Sequence, residues 1–343
     1  MQIKDHVFYV TGGASGLGAA TVQHLHALGA YVSIMDLQLE AGQKLAEQLN
    51  SSSSGGAKRA AAFEVDVCSE EAVRVAIEGS DKLWPNVTVG GCVNCGGVGM
   101  AGKTIDQNGE PFDLDTFRKT VEINLIGTFN VSRLTAARLV RDLPKPIPKP
   151  TEATKDLGVI INTASAAALE GQAGQCPYSA SKGGVLSLSL PMARDLAWFG
   201  IRVMTLVPTL FETPMMAQLP KRAREAILRT CEFPARFGYP EEFALAVQGV
   251  VENSMLVSTH HPSKTMEELV GRQNVTLTHF DPVVWRNRTA HTFVWMALLV
   301  SASSRVQTLR SLPVLEMFTT ISSEKLSSSV IPKCHNLGSL ARM

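Results

Sequence analysis

The chain has 343 residues, 45% of them apolar and 18% charged, with a formal net charge of +1. That balance suits a globular protein and provides no field to hold a nucleic acid or an anionic membrane. Its six cysteines lack the spacing of a disulfide framework, which points to a reducing compartment.

The opening, "MQIKDHVFYVTGG", enters a strand almost at once, without room for a leader peptide, so a cytoplasmic protein is expected. Val7 to Val10 is the first strand. A glycine-rich turn and a helix from about Gly16 to Leu28 follow, and Gly29 ends that helix. Tyr31 to Met35 is the second strand and stops at Asp36. A helix to about Leu49 leads through a Ser- and Gly-rich loop to a third strand, Ala60 to Val65. Ser69 then caps a third helix. Val87 to Val93 is the fourth strand, and two helix patterns cover roughly Asp113 to Val140. After the proline-broken loop "DLPKPIPKPTEATKD" come a fifth strand, Val159 to Ala164, a long helix, Tyr178 to Phe199, and a sixth strand, Val203 to Val207. A helix from Pro240 to Asn253 closes the series. Strands alternating with helices imply a doubly wound α/β fold: parallel strands, right-handed crossovers, helices on both faces. The longest strongly apolar run, Phe293 to Val300, is too short to cross a bilayer.

The turn "TGGASGLG" between the first strand and helix carries the first chemistry. Gly12, Ser15, Gly16, Leu17 and Gly18 stand where a backbone must turn tightly, approach a pyrophosphate and present a helix N-terminus to it. Asp36 ends the second strand about twenty residues on. A carboxylate there accepts hydrogen bonds from ribose hydroxyls and repels a 2′-phosphate, so NAD is favoured over NADP. Asp66 and Val67, after strand three, are placed toward the adenine. In "NCGG", Asn94 to Gly97, small residues let the backbone pass close to a ribose.

In "NTASAAALEGQAGQCPYSASKGG", Tyr178 and Lys182 are four apart on one helix and share a face. Ser165 ends strand five, and Asn124 lies on the earlier helix in "EINLIGTFN". All four in this order, behind a dinucleotide turn, resemble the short-chain dehydrogenase/reductase family. That family carries TGxxxGxG, an Asn motif after strand four, a helix Asn, a Ser and YxxxK, and the likeness runs to about residue 256. Longer blocks, such as "ARDLAWFGIRVMTLVPTLFETPM" and "FPARFGYPEEFALAVQGVVENSML", are similar to its 3-hydroxyacyl-CoA dehydrogenase branch. The resemblance implies NAD-dependent exchange between a secondary alcohol and a ketone. Tyr178 would be the acid/base, Lys182 would favour its phenolate, Ser165 would hold the substrate oxygen, and Asn124 would fix a relay water. Tyr178, Lys182, Pro208 and Thr213 would also touch the cofactor, Thr213 at the nicotinamide carboxamide. A ketone reductase of secondary metabolism, or a cofactor-binding but inactive chain, are the alternatives. The implied partner is a small alcohol or ketone, including acyl-CoA, with the homo-oligomer usual in the family.

Two positions depart from the family pattern. Thr209 replaces the usual Gly, and Glu212 stands where closer relatives have a small residue; both are expected to stiffen or crowd the nicotinamide loop. Met215 to Thr230 is expected to act as a lid. Its Lys221, Arg222, Arg224 and Arg229 are a solvated face or an attraction for CoA phosphates. Cys92 and Cys95 form a single C-x-x-C without a second pair, and His260 and His261 are adjacent, so no metal site is expected.

The pattern breaks after Leu256. Residues 257–343 hold two of the 27 glycines and five of the eight histidines, and their apolar residues keep no sustained period. They are expected to form an atypical, largely disordered tail, foreign to the fold through splicing or a shifted frame. The sheet would then lack its normal last strand, strand six would expose an edge, the Pro240–Asn253 helix would lose packing, and oligomerisation would suffer. The resemblance implies a mitochondrial compartment, and the final "ARM" loosely resembles a peroxisomal tripeptide.

Overall fold

The computed structural model describes residues 1–52, 58–148, 150–151, 155–219, 221–229, 231, 233–256 and the pair Phe293–Val294. The division expected at residue 256 thus falls at the edge of the described residues. The disorder expected beyond it, and His260 and His261, lie outside them.

Six parallel strands form the sheet: β1 (His6–Thr11), β2 (Tyr31–Asp36), β3 (Ala60–Glu64), β4 (Thr88–Asn94), β5 (Gly158–Thr163) and β6 (Ile201–Val207). Their order is β3-β2-β1-β4-β5-β6. The chain winds outward from β1 to β3, then crosses back to lay β4 on the other side of β1. That reversal opens a crevice beyond the C-terminal ends of β1 and β4, where open α/β sheets bind ligands. A two-residue strand, β7 (Phe293–Val294), runs antiparallel on β6, with Leu206 opposite Val294 and Val207 opposite Phe293. At those two positions the edge of β6 is paired, where an open edge was expected.

Helices cover both faces, and period-two alternation along the strands supplies two cores. Phe8, Val10, Ile34, Ile161 and Met204 point to one face. There they meet α1 (Gly16–Ala27), α2 (Leu39–Ser51) and α9 (Pro240–Glu252). Val7, Tyr9, Ile160, Ile201 and Val203 point to the other, under α3 (Glu70–Leu83), α5 (Thr128–Leu139) and α6 (Cys176–Ala197). The α9 helix is packed, contrary to expectation: Val247, Val250 and Val251 are buried, and the helix lies along α1.

Ser69 caps α3 as its residue type predicts, accepting from the Ala72 N–H at 3.1 Å. The two helix patterns between 113 and 140 turn out to be one run. Here α4 (Leu114–Val121) passes through a π-helical stretch, Glu122–Gly127, directly into α5. Wider turns of this kind often mark functional positions, and Asn124 sits inside this one. The segment expected to form a lid folds as two short helices, α7 (Pro214–Ala217) and α8 (Lys221–Leu228). No helix among the described residues is long and apolar enough to cross a membrane.

Candidate active site

The glycine turn after β1 has the conformation its sequence requires. Gly12 and Gly16 have φ of +60° and +51°, a region that side chains with a Cβ avoid. A Cβ on Gly18 would lie 2.1 Å from the Gly12 carbonyl oxygen, and one on Gly12 would lie 2.9 Å from Gly96 Cα. The first turn of α1 therefore presses against the end of β1, and the β4 end against both. Ser15 is the N-cap residue, but its side chain makes no capping bond. The N-terminus of a twelve-residue helix is thus left open toward the crevice, as anion binding requires.

Asp36 ends β2 at the rim of the same crevice. Its carboxylate accepts the Ala14 N–H at 3.0 Å and the Gln38 N–H at 2.9 Å. These bonds fix it beside the glycine turn. Asp66 accepts from the Cys68 N–H at 2.9 Å and is likewise fixed in direction.

A cleft of about 700 Å³ runs between the two ends of this arrangement. Asp36, Asp66 and Val67 line one end; Ser165, Tyr178 and Lys182 line the other. Gly12, Ser15, Gly16, Leu17, Gly18, Gly97, Pro208 and Thr213 lie between them. The open helix terminus, the glycine cradle and the carboxylate at ribose distance from it fit a dinucleotide.

The chemistry end is built by β5, its following turn, and α6. Ser165 caps the short 3-10 turn Ala166–Ala168, accepting from the Ala167 N–H at 3.2 Å. Burial raises the Tyr178 phenol above its ordinary value, and its hydrogen bond with Ser165 opposes this. Lys182 is only 6% exposed. Its Nζ donates to the Thr163 carbonyl at 2.8 Å and lies 5.9 Å from the Tyr178 ring centre. Burial pulls its ammonium down to about 8, so the group is still charged at neutral pH. The i, i+4 spacing puts both side chains on the cleft side of α6, and the Thr163 carbonyl pins the lysine there.

Two expected residues have their side chains elsewhere. Asn94 does not line the cleft. Its amide donates across the sheet to Asn162 at 2.9 Å and to Ser132 on α5 at 3.0 Å. This makes it a staple between β4, β5 and α5, because the last residue of β4 points into the sheet, not out of its end. Asn124 is fully buried and also absent from the cleft lining. Its side chain accepts from the Val98 N–H at 2.8 Å and donates to the Val98 carbonyl at 2.9 Å and to Ser181 at 3.0 Å. Its own carbonyl accepts from the Thr128 hydroxyl at 2.7 Å.

Val98 lines the cleft and was not singled out in the sequence; Cys95, from the "NCGG" segment, and Met215, the first residue of the expected lid, line it too. Cys92 and Cys95 pack with the cores on opposite faces of the sheet. Burial pushes their thiols up to about 12 and about 11. Among the described residues no group of three metal-ligating side chains converges. Glu212 is not among the cleft-lining residues, whereas Thr209 is.

A glycine turn at the switch point of a parallel sheet, with a Tyr–Lys pair and a serine at the far end of its cleft, defines a dinucleotide-dependent oxidoreductase. The sequence pattern of the family described as short chain dehydrogenase matches residues 6–224, and the chain belongs to the short-chain dehydrogenase/reductase family. It is 42% identical over 256 residues to the 3-hydroxyacyl-CoA dehydrogenase type-2 of Bos taurus, covering 74% of this chain and 92% of that protein. The Drosophila melanogaster protein of the same name is 40% identical over the same length, with 94% of it covered. Among solved structures, the 3-hydroxyacyl-CoA dehydrogenase type-2 from Mycobacterium avium superimposes with a TM-score of 0.65 at 36% identity. The match covers 75% of this chain and 94% of that one. A 3-ketoacyl-(acyl-carrier-protein) reductase from Brucella melitensis, complexed with NADH, shares the fold with a TM-score of 0.62 at 23% identity. It covers 75% of this chain and 96% of that one.

Proposed function

We propose that this enzyme interconverts 3-hydroxyacyl-CoA and 3-ketoacyl-CoA with NAD as its cofactor. The observation that carries the reading is the convergence of Ser165, Tyr178 and Lys182 at one end of a cleft whose other end is set by Asp36. The names of the relatives support the acyl-CoA part.

A bound nicotinamide would supply the hydride acceptor or donor. The protein supplies position and protons. Leu17 and Gly18, at the open start of α1, would hold the pyrophosphate, and Asp36 would hold the adenosine ribose. The Asp36 charge disfavours a 2′-phosphate, which is the reason for choosing NAD. Thr213 would meet the carboxamide. Ser165 would donate a hydrogen bond to the substrate oxygen and hold it beside the Tyr178 hydroxyl. Tyr178 would take the alcohol proton in oxidation and return it to the ketone oxygen in reduction. The Lys182 ammonium would favour the phenolate needed in the oxidative direction. Asn124 would brace the Val98 backbone with its side chain and so keep the wall of the cleft near Lys182 in place.

The test is NADH oxidation with acetoacetyl-CoA by the full-length chain. Tyr178→Phe should abolish turnover and leave NADH affinity unchanged. Turnover retained in the variant would overturn the assignment of the acid/base. A protein that binds NADH but ignores acetoacetyl-CoA would overturn the acyl-CoA reading.

A further inference from the structure

Glu212 and Arg224 form an ion pair on the substrate side of the active site. Nη2 of Arg224 contacts both carboxylate oxygens of Glu212. Each side chain keeps only about a third of its surface exposed, 34% for Arg224 and 38% for Glu212. The same guanidinium lies over the Phe237 ring, 4.9 Å from its centre, and Phe237 is itself buried. Beneath the pair the backbone is tied as well. The Gly238 N–H donates to the Leu210 carbonyl at 2.8 Å, and the Glu212 N–H donates to the Gly238 carbonyl at 2.9 Å. Arg224 therefore fastens α8 to a platform made of the 208–213 loop and the Phe237–Gly238 segment.

That placement bears on a second, smaller cavity of about 280 Å³ beside Ser165. Thr209 and Leu210 of the platform line it, Glu170 and Gln175 line it from the turn before α6, and Ile227 closes it from α8. Ile227 stands three residues from Arg224, one turn along and on the same side of the helix. The clasp ties α8 to the 208–213 loop on the side of the helix that carries Ile227.

Resting on the acyl-CoA reading above, we propose that Glu212 and Arg224 are a positioning pair that holds α8, and with it Ile227, as one wall of the substrate pocket. Arg224 is thereby taken out of the set of lid cations that could attract CoA phosphates. Its charge is already matched by a carboxylate, and its planar face is on an aromatic ring.

Arg224→Gln should raise the KM for acetoacetyl-CoA about tenfold, the equivalent of one lost interaction of about 1.4 kcal/mol. It should leave the Kd for NADH within about twofold. The charge reversal Glu212→Arg with Arg224→Glu should recover most of the KM, because the pair, and not either residue alone, does the positioning. Unchanged KM in Arg224→Gln, or a reversal no better than the two single changes together, would overturn the proposal. A second readout does not depend on the substrate. Glu212→Gln leaves every tryptic site of α8 intact, so trypsin should cut at Lys221 and Arg222 several times faster in this variant than in the unmodified protein. If the unmodified enzyme ignores acetoacetyl-CoA, the acyl-CoA reading fails by itself and the proteolysis rate decides the clasp; equal rates would sink it.

Discussion

Arg202 should be the most costly single residue to remove outside the active site. It is the second residue of the apolar strand "IRVMTLV", where alternation sends its side chain to the α9 face, and it is 7% exposed. Its Nε donates to Asp156 at 3.0 Å. Nη1 donates to the Val250 carbonyl at 2.7 Å and Nη2 to the Val251 carbonyl at 2.9 Å, with the Leu256 carbonyl 3.3 Å away. One guanidinium thus satisfies an acid and the open carbonyls at the end of α9, where its charge also meets the negative end of the helix dipole. Arg202→Met fills most of the volume but leaves Asp156 and two buried carbonyls without this donor. Breaking a buried pair from one side costs about 3–5 kcal/mol; the carbonyls belong to the same network, so their cost is not added in full. For a domain of this size each kcal/mol is about 2–4 °C of melting temperature. Thermal unfolding followed by circular dichroism should therefore shift down by about 8–16 °C, taking about 4 kcal/mol as the loss. Arg202→Lys, which keeps the charge but not the fork, should fall between. A shift of less than about 2 °C in Arg202→Met, about 1 kcal/mol or less on the same scale, would refute the view that Arg202 seals the end of the fold.

Two further outcomes follow from the cleft. Burial keeps the Tyr178 phenol protonated through neutral pH in the free enzyme, which is the form that donates to a ketone. Reduction should therefore be flat across neutral pH and decline only in alkali, whereas oxidation, which needs the phenolate, should climb with pH; kcat/KM in both directions measures this, and oxidation that slows as pH rises would contradict it. Asp36→Asn keeps an acceptor for the Ala14 N–H while removing the charge, so the preference for NAD over NADP should shrink by about tenfold or more, read as the ratio of the two kcat/KM values, since a like charge against a phosphate costs several kcal/mol. An unchanged ratio would mean that discrimination lies elsewhere.

The elements that were legible in the sequence are those whose signals are local. Five of the six parallel strands are apolar runs with β-branched residues, the alanine-rich β3 being the exception, and all six were placed within two residues of their observed ends. Tyr178, Lys182, Ser165 and the glycine turn were legible because each is fixed by short-range spacing: a helix repeat, a strand end, a positive φ. Asn94 and Asn124 were placed on their elements, but the partners of their amides were not legible. Where an amide points depends on partners 38, 57 and 68 residues away in sequence, and no local period reports them. The π-helical stretch was invisible for a similar reason. "EINLIG" has ordinary helix composition, and its wider turn coincides with the bonds between the Asn124 amide and Val98.

Two charged positions, Glu212 and Arg202, have the same character. Glu212 reads as crowding if only the nicotinamide loop is considered, since a larger side chain replaces a small one beside Thr213. In the folded chain it lies outside the cleft lining and meets Arg224, twelve residues on and on a separate helix. Arg202, inside the block that carries the family likeness, is a charge in a buried strand whose partners are Asp156 and the carbonyls at the end of α9, about fifty residues later. A buried or half-buried charge is costly unless it is paired, so an unexpected charge in an otherwise regular motif is a demand for a partner. Glu212 meets Arg224 on a separate helix, and Arg202 meets Asp156 and the end of α9. Both ties join segments that no local spacing links, which is why neither could be read from a motif.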